Sequence, residues 1–143
     1  MREEKKKKKR RLVLSSRHIG ELKKLATDSL PQESCALLAG RMDNDHDFIV
    51  SEVIVTSNAD RSQARFSIEA GELVDAYRKA ESRGLDIVGI FHSHPAPARP
   101  SGTDTKYMEI NPVPWLILST TDGGMGAFLL EGDLQELEIA EDS

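Results

Sequence analysis

Two apolar periods alternate along this chain, and their order sketches a fold. Leu12 to Ser15 predicts a short strand. Ser16 stands where a helix cap belongs, and Ile19, Leu22, Leu25 and Ala26 then recur at helical spacing. Leu30-Pro31 ends that helix, because proline disfavours helical geometry in the residue before it. Ser34-Cys35-Ala36-Leu37-Leu38-Ala39 is a compact apolar run closed by Gly40, which predicts a buried strand. Asp43-Asn44-Asp45 marks a turn, and Phe48 to Thr56, rich in Val and Ile, predicts the next strand. Ser57 to Ala64 is polar and reads as a loop, and Phe66-Ser67-Ile68 as a short strand.

The second half repeats this grammar. Glu69 to Arg83 carries Leu73, Ala76, Tyr77 and Ala80 on one helical face and is stopped by Gly84. Leu85 to Phe91 predicts a second buried strand, delivering His92-Ser93-His94-Pro95 at its end. Prolines make the segment from Ala96 to Pro100 irregular, Ser101 starts a third helix to about Ile110, and Pro112 and Pro114 break it. Trp115 to Ser119 and Met125 to Leu130 predict paired strands around Asp122-Gly123-Gly124. Leu134 to Ala140 alternates apolar and acidic residues, as an edge strand does. The expected class is α/β, a mixed, curved β-sheet flanked by helices, without internal repeat or second domain.

Composition narrows the class. A chain of 143 residues suits one domain with a real core, and 38% hydrophobic content is too high for full disorder. No apolar run approaches the roughly 20 residues of a membrane span, and the basic start leads only into Leu12-Val13-Leu14, short of a signal-peptide core. The single Cys35 excludes an internal disulfide and a multi-cysteine zinc site, so a cytoplasmic, reducing location is the expectation. Charge is uneven: residues 1–11 hold eight basic and two acidic residues, the remainder eleven basic and twenty-two acidic. The basic run reads as a disordered, solvated tail preceding a domain over residues 12–143. Lacking interleaved aromatics or glycines, it gives only a slender hint of nucleic acid.

Candidate chemistry centres on His92 and His94. Side chains two apart on a strand share a face, so the two imidazoles either bind one metal ion or are ordinary histidines at a strand end. Asp104 lies across a loop stiffened by Pro95, Pro97 and Pro100, and two His with one carboxylate are a standard catalytic zinc set with a fourth position left for water. Ser101-Gly102-Thr103-Asp104 also fits a helix capping box, and both readings can hold together. A water so activated needs a base. Glu33, just before the apolar run, is the candidate, or else an ordinary Glu at the start of a strand.

Together these residues resemble the JAMM (MPN-plus) metallopeptidase family, whose pattern is an early Glu, then His-Ser/Thr-His-Pro, then Ser-x-x-Asp. Here it reads Glu33, then His92-Ser93-His94-Pro95, then Ser101-Gly102-Thr103-Asp104, and the match runs from about Leu12 to Leu137. The resemblance implies a cytidine-deaminase-like JAMM/MPN fold and one zinc ion per chain held by His92, His94 and Asp104. It implies Glu33 as general base and proton donor, and Ser101 as a donor to the scissile carbonyl or its oxyanion. Ser93 and Pro95 would shape the ligand loop. That loop is one residue shorter than the commonest family spacing, and Ala36 stands where many members have Gly. The implied activity is zinc-dependent cleavage of isopeptide or peptide bonds after the C-terminal glycines of ubiquitin-like modifiers. Only ten residues separate Asp104 from Trp115, so the insertion of elaborate deubiquitinases is absent, as in a minimal archaeal or bacterial member. Processing of a ubiquitin-fold sulfur-carrier protein is the alternative substrate reading, and a non-catalytic MPN-type scaffold the alternative from another class. The substrate tail would pair along an exposed strand edge, with Phe66 to Ile68 as the suggested segment.

The remaining conspicuous residues read as structural. Cys35 is expected as a small buried hydrophobe, His18 and His46 as surface residues, Trp115 as core or rim packing, and Gly123-Gly124 as a hairpin turn.

Overall fold

The computed structural model describes residues 9–44, 46–57 and 69–142. Its elements run β1 (Arg11–Ser15), α1 (Ser16–Ser29), β2 (Cys35–Asp43), β3 (Asp47–Thr56), α2 (Ala70–Ser82), β4 (Asp86–His94), α3 (Gly102–Ile110), β5 (Trp115–Ser119), β6 (Met125–Glu131) and β7 (Asp133–Asp142). The suggested strand at Phe66 to Ile68, and the loop before it beyond Ser57, lie outside the described residues.

The strands close into a barrel in the order β1-β3-β2-β4-β5-β6-β7, rather than forming the mixed, curved sheet expected from sequence. Closure comes from β1, which pairs in parallel with β7 from Arg11↔Glu138 to Ser15↔Asp142 and with β3 at Leu12↔Phe48 and Val13↔Ile49. The expected edge strand is therefore not an edge, since β7 pairs with β1 on one side and β6 on the other. Its alternation reports a wet face, with Leu137 buried and the glutamates outward, and a wet face does not require a free edge. Closure also draws Arg11 out of the basic run and into β1.

Three further boundaries differ from expectation. Ser15, one residue earlier than expected, caps α1 by accepting from the His18 N–H at 3.1 Å. β2 continues through Gly40 to Asp43, because glycine is required inside it: a Cβ at Gly40 would stand 1.8 Å from the Ile49 carbonyl oxygen, where the register slips between Ala39 and Gly40. β4 carries on through both histidines, because β5 continues beside it in parallel as far as His94↔Ser119.

Two apolar clusters lie on the faces of the central strands. One joins Leu22 and Ala26 of α1 to Leu12, Leu38, Phe91, Leu116 and Leu129. The other joins Ala76 and Ala80 of α2 and Met108 of α3 to Cys35, Leu37, Ile90 and Trp115. With helices on both sides, β4 is buried from Ile87 onward, which fixes the strand that carries the histidines. No helix among the described residues is long and apolar enough to cross a membrane.

Candidate metal centre

Backbone pairing places His92 between Cys35 on β2 and Ile117 on β5. His92 is fully buried, and the Trp115 ring meets it edge-on at 5.8 Å between centroids. The indole is itself fixed, since its Nε1 donates to the Asn111 carbonyl at 3.2 Å. Trp115 is thus core packing, as expected, and also a wall of this site. His94 follows two residues on, its ring centroid 5.2 Å from that of His92 and tilted by 51°.

Two carboxylates reach the same imidazole. Glu33, buried just before β2, has Oε1 3.4 Å from His92 Nδ1. Asp104, on the first turn of α3, has Oδ2 3.5 Å from His92 Nε2. Asp104 is also the third helical residue of a complete capping box: Ser101 Oγ accepts its N–H at 3.1 Å, and the Ser101 N–H donates to Asp104 Oδ2 at 2.9 Å. Glu33, His92 and Asp104 therefore converge, His94 lies beside them, and Ser101 holds Asp104 from the helix start.

The local field separates the two histidines. Burial disfavours the charged form of His92, but contacts with Asp104 and Glu33 outweigh it and raise its pKa above the ordinary imidazole value. Burial also acts on His94, and repulsion from His92 adds to it, so the His94 pKa is lowered. Asp104 is held below the usual carboxylate range: burial opposes ionisation, and His92 with the Ser101 donors overcomes it.

Do these groups suit a metal? His94 gives the clearest sign. Its Nε2 is buried without a hydrogen-bond partner, where a buried ring nitrogen ordinarily finds one, so it is open to a ligand from outside the chain. The His92–Asp104 separation also suits two donors on one tetrahedral ion, which at bond lengths of roughly 2.0–2.2 Å stand about 3.3–3.6 Å apart. Among the described residues no group of three such side chains is already converged around one point. Asp104 Oδ2 is engaged with the helix cap. In donor identity the residues suit a zinc ion, and in placement His92 and Asp104 do.

Sequence reasoning passed over one residue that shapes the ligand loop. A Cβ at Gly126 of β6 would stand 2.4 Å from the Ala98 carbonyl oxygen, so glycine there lets the Pro-rich segment lie against the barrel. Its signal was a glycine inside an apolar strand, which marks close backbone approach. The structure corrects the reading of His18, which is buried on α1 rather than on the surface. His46, partly exposed, pairs with Asp47 at 2.7 Å. Cys35 is buried as expected, and burial pushes its thiol up to about 11, which makes it inert at neutral pH.

Comparison with known proteins places this chain among relatives. The family described as prokaryotic homologs of the JAB domain matches residues 15–131. A desampylase of Pyrococcus furiosus is 33% identical over 109 residues, 76% of this chain and 74% of that protein. A CysO-cysteine peptidase of Mycobacterium tuberculosis is 30% identical over 112 residues, 78% of this chain and 75% of that protein. A solution structure from Desulfitobacterium hafniense superposes with a TM-score of 0.82 at 33% identity, covering 92% of this chain and 93% of that one.

Proposed function

This chain belongs to the family of prokaryotic homologs of the JAB domain, and from that premise we propose that it is a zinc-dependent hydrolase cutting peptide or isopeptide bonds after the C-terminal glycines of a ubiquitin-like protein. The observation that carries the reading is His94 Nε2, a buried ring nitrogen without a hydrogen-bond partner, beside an imidazole flanked by two carboxylates. Relatives whose names state conjugate cleavage or peptidase activity support the class of substrate. Besides the desampylase and the CysO-cysteine peptidase, a protein of Thermus thermophilus named as a probable TtuB-protein conjugate cleaving protease is 35% identical over 102 residues.

His92, His94 and Asp104 would hold the ion. Zinc, when bound, supplies Lewis acidity at the scissile carbonyl and makes water acidic enough to react near neutral pH. Glu33 accepts the proton of the attacking water and returns it to the leaving amine. Ser101 already accepts the Asp104 N–H, which leaves its own O–H free to donate to the carbonyl oxygen. An extended tail has a place to lie: beyond Ile49 the outer edge of β3 has no strand partner among the described residues, and it runs to Thr56, opposite Cys35.

The approach of Glu33 to His92 Nδ1 favours a second role, a carboxylate orienting a metal-ligating imidazole. The tail of a sulfur-carrier protein is the alternative substrate, and a scaffold without catalysis the reading from another class. Metal analysis with cleavage assays tests all of these. One zinc per chain with cleavage of isopeptide-linked fusions supports the proposal. Cleavage of linear carrier fusions alone selects carrier processing, and a metal-free, inactive wild-type protein selects the scaffold.

A further inference from the structure

The face-to-face pair Ser34 and Ser93 has no chemical role above, yet it is the best-satisfied polar contact in the site. Both residues are buried, with Ser93 fully enclosed. Ser93 lies between His92 and His94, and Ser34 directly follows Glu33. Three hydrogen bonds join them. The Ser93 N–H donates to the Ser34 carbonyl at 3.1 Å. The Ser34 N–H donates to Ser93 Oγ at 3.0 Å, and the two hydroxyls are hydrogen-bonded to each other at 2.7 Å.

The second of these bonds is unusual in its place. Strand β2 begins at Cys35, opposite His92, so Ser34 lies one residue before the paired register. Its N–H is met by a side chain where a sheet would supply a carbonyl. That N–H belongs to the peptide group joining Glu33 to Ser34, so the Ser93 hydroxyl fixes the orientation of the plane from which the Glu33 side chain departs. A carboxylate placed by a free loop would sample many positions, and a base must lie within hydrogen-bond reach of the proton it takes.

We propose that Ser93 is a positioning residue for Glu33: its hydroxyl clamps the Glu33–Ser34 peptide against β4, so the strand that bears the two histidines also sets the carboxylate beside them. The role rests on the hydrolase reading above and adds to it a residue that acts only through Glu33. The role requires no contact of Ser93 with substrate or metal.

Three measurements on the full chain decide it. In metal-free protein, amide exchange of Ser34 is slow in the wild type, at least about tenfold faster in Ser93→Ala and slow again in Ser93→Thr, which keeps the hydroxyl. In zinc-loaded protein, Ser93→Ala lowers kcat by about 10–100-fold with KM and zinc content unchanged, and Thr restores it. In a Glu33→Gln background, Ser93→Ala has no further effect, whereas a residue that merely supports the fold would lower activity again. Ser34→Ala, which spares the Ser34 N–H contact, gives a smaller loss and serves as second probe should Ser93→Ala fold poorly. Unchanged Ser34 exchange in Ser93→Ala, or a kcat equal to that of an active wild type, overturns the positioning role alone. A wild type without zinc and without cleavage overturns the hydrolase reading, and this role with it.

Discussion

The two ends of the barrel solve opposite problems with similar residues. At the end where β1 and β3 begin, Arg11 reaches Asp47 through two side-chain bonds of 2.8 and 3.1 Å, His46 joins the same carboxylate, and Arg10 stacks on the Phe48 ring. These charges are partly solvated, and Arg11 holds the Asp47 carboxyl down to about 2. At the end where β4 stops, Glu33, His92 and Asp104 stand at contacts of 3.4 and 3.5 Å, each buried. The solvated cluster is tightly bonded within itself and needs nothing more. The buried one carries a large desolvation cost, is looser, and keeps the His94 Nε2 without a hydrogen-bond partner. A buried cluster of titratable groups at a strand end is a candidate functional site.

Substitutions at the two ends should separate these roles. The largest effect is expected from Asp104→Asn, which preserves a side chain able to cap α3 but removes the ligand charge: zinc content falls from one per chain towards zero and cleavage drops at least about 10³-fold. Intact helical circular dichroism would show that the fold survives. Glu33→Gln comes next, with kcat down about 10²–10⁴-fold. Zinc titration then sharpens its role: unchanged affinity assigns a base, whereas affinity weakened about 10–100-fold adds the orienting role at His92 Nδ1.

Gly126→Ala tests the loop rather than its ligands. The added methyl collides with the Ala98 carbonyl and displaces the segment between His94 and Asp104, so zinc affinity falls by about tenfold while Glu33 and its clamp are untouched.

The smallest effect belongs to the opposite end. Asp47→Asn leaves activity unchanged and lowers the melting temperature by about 2–5 °C near neutral pH. Its sign with pH is fixed by the depressed carboxyl: the contribution is fully present above the unfolded value near 3.8 and is lost as pH falls towards 2. Melting curves of variant and wild type should therefore converge on acidification.

Sequence reading reached the helices and most strands because their periodicities are strong, and it named Glu33, His92, His94, Ser101 and Asp104 as candidates because the combined motif is specific; the structure brings Glu33 and Asp104 to His92. Closure stayed hidden because it depends on β1 meeting β7 across nearly the whole chain, and no local pattern encodes a pairing such as Leu12↔Ile139. The burial of His18 was missed for a related reason: its side chain follows the Leu22 and Ala26 face of α1, and a polar residue on that face looks solvated until the partner surface is known. Ser34 and Ser93 each look ordinary alone, and only the register joins them.

The central claim, that this end of the barrel holds zinc for amide cleavage, is tested most directly by one mass-spectrometric assay. Purified protein is incubated with a fusion in which a ubiquitin-fold protein ending in Gly-Gly is linked to a reporter. Cleavage after the last glycine, abolished by a zinc chelator and restored by added zinc, is the predicted result. An intact fusion, or a cut that persists in the chelator, contradicts the account.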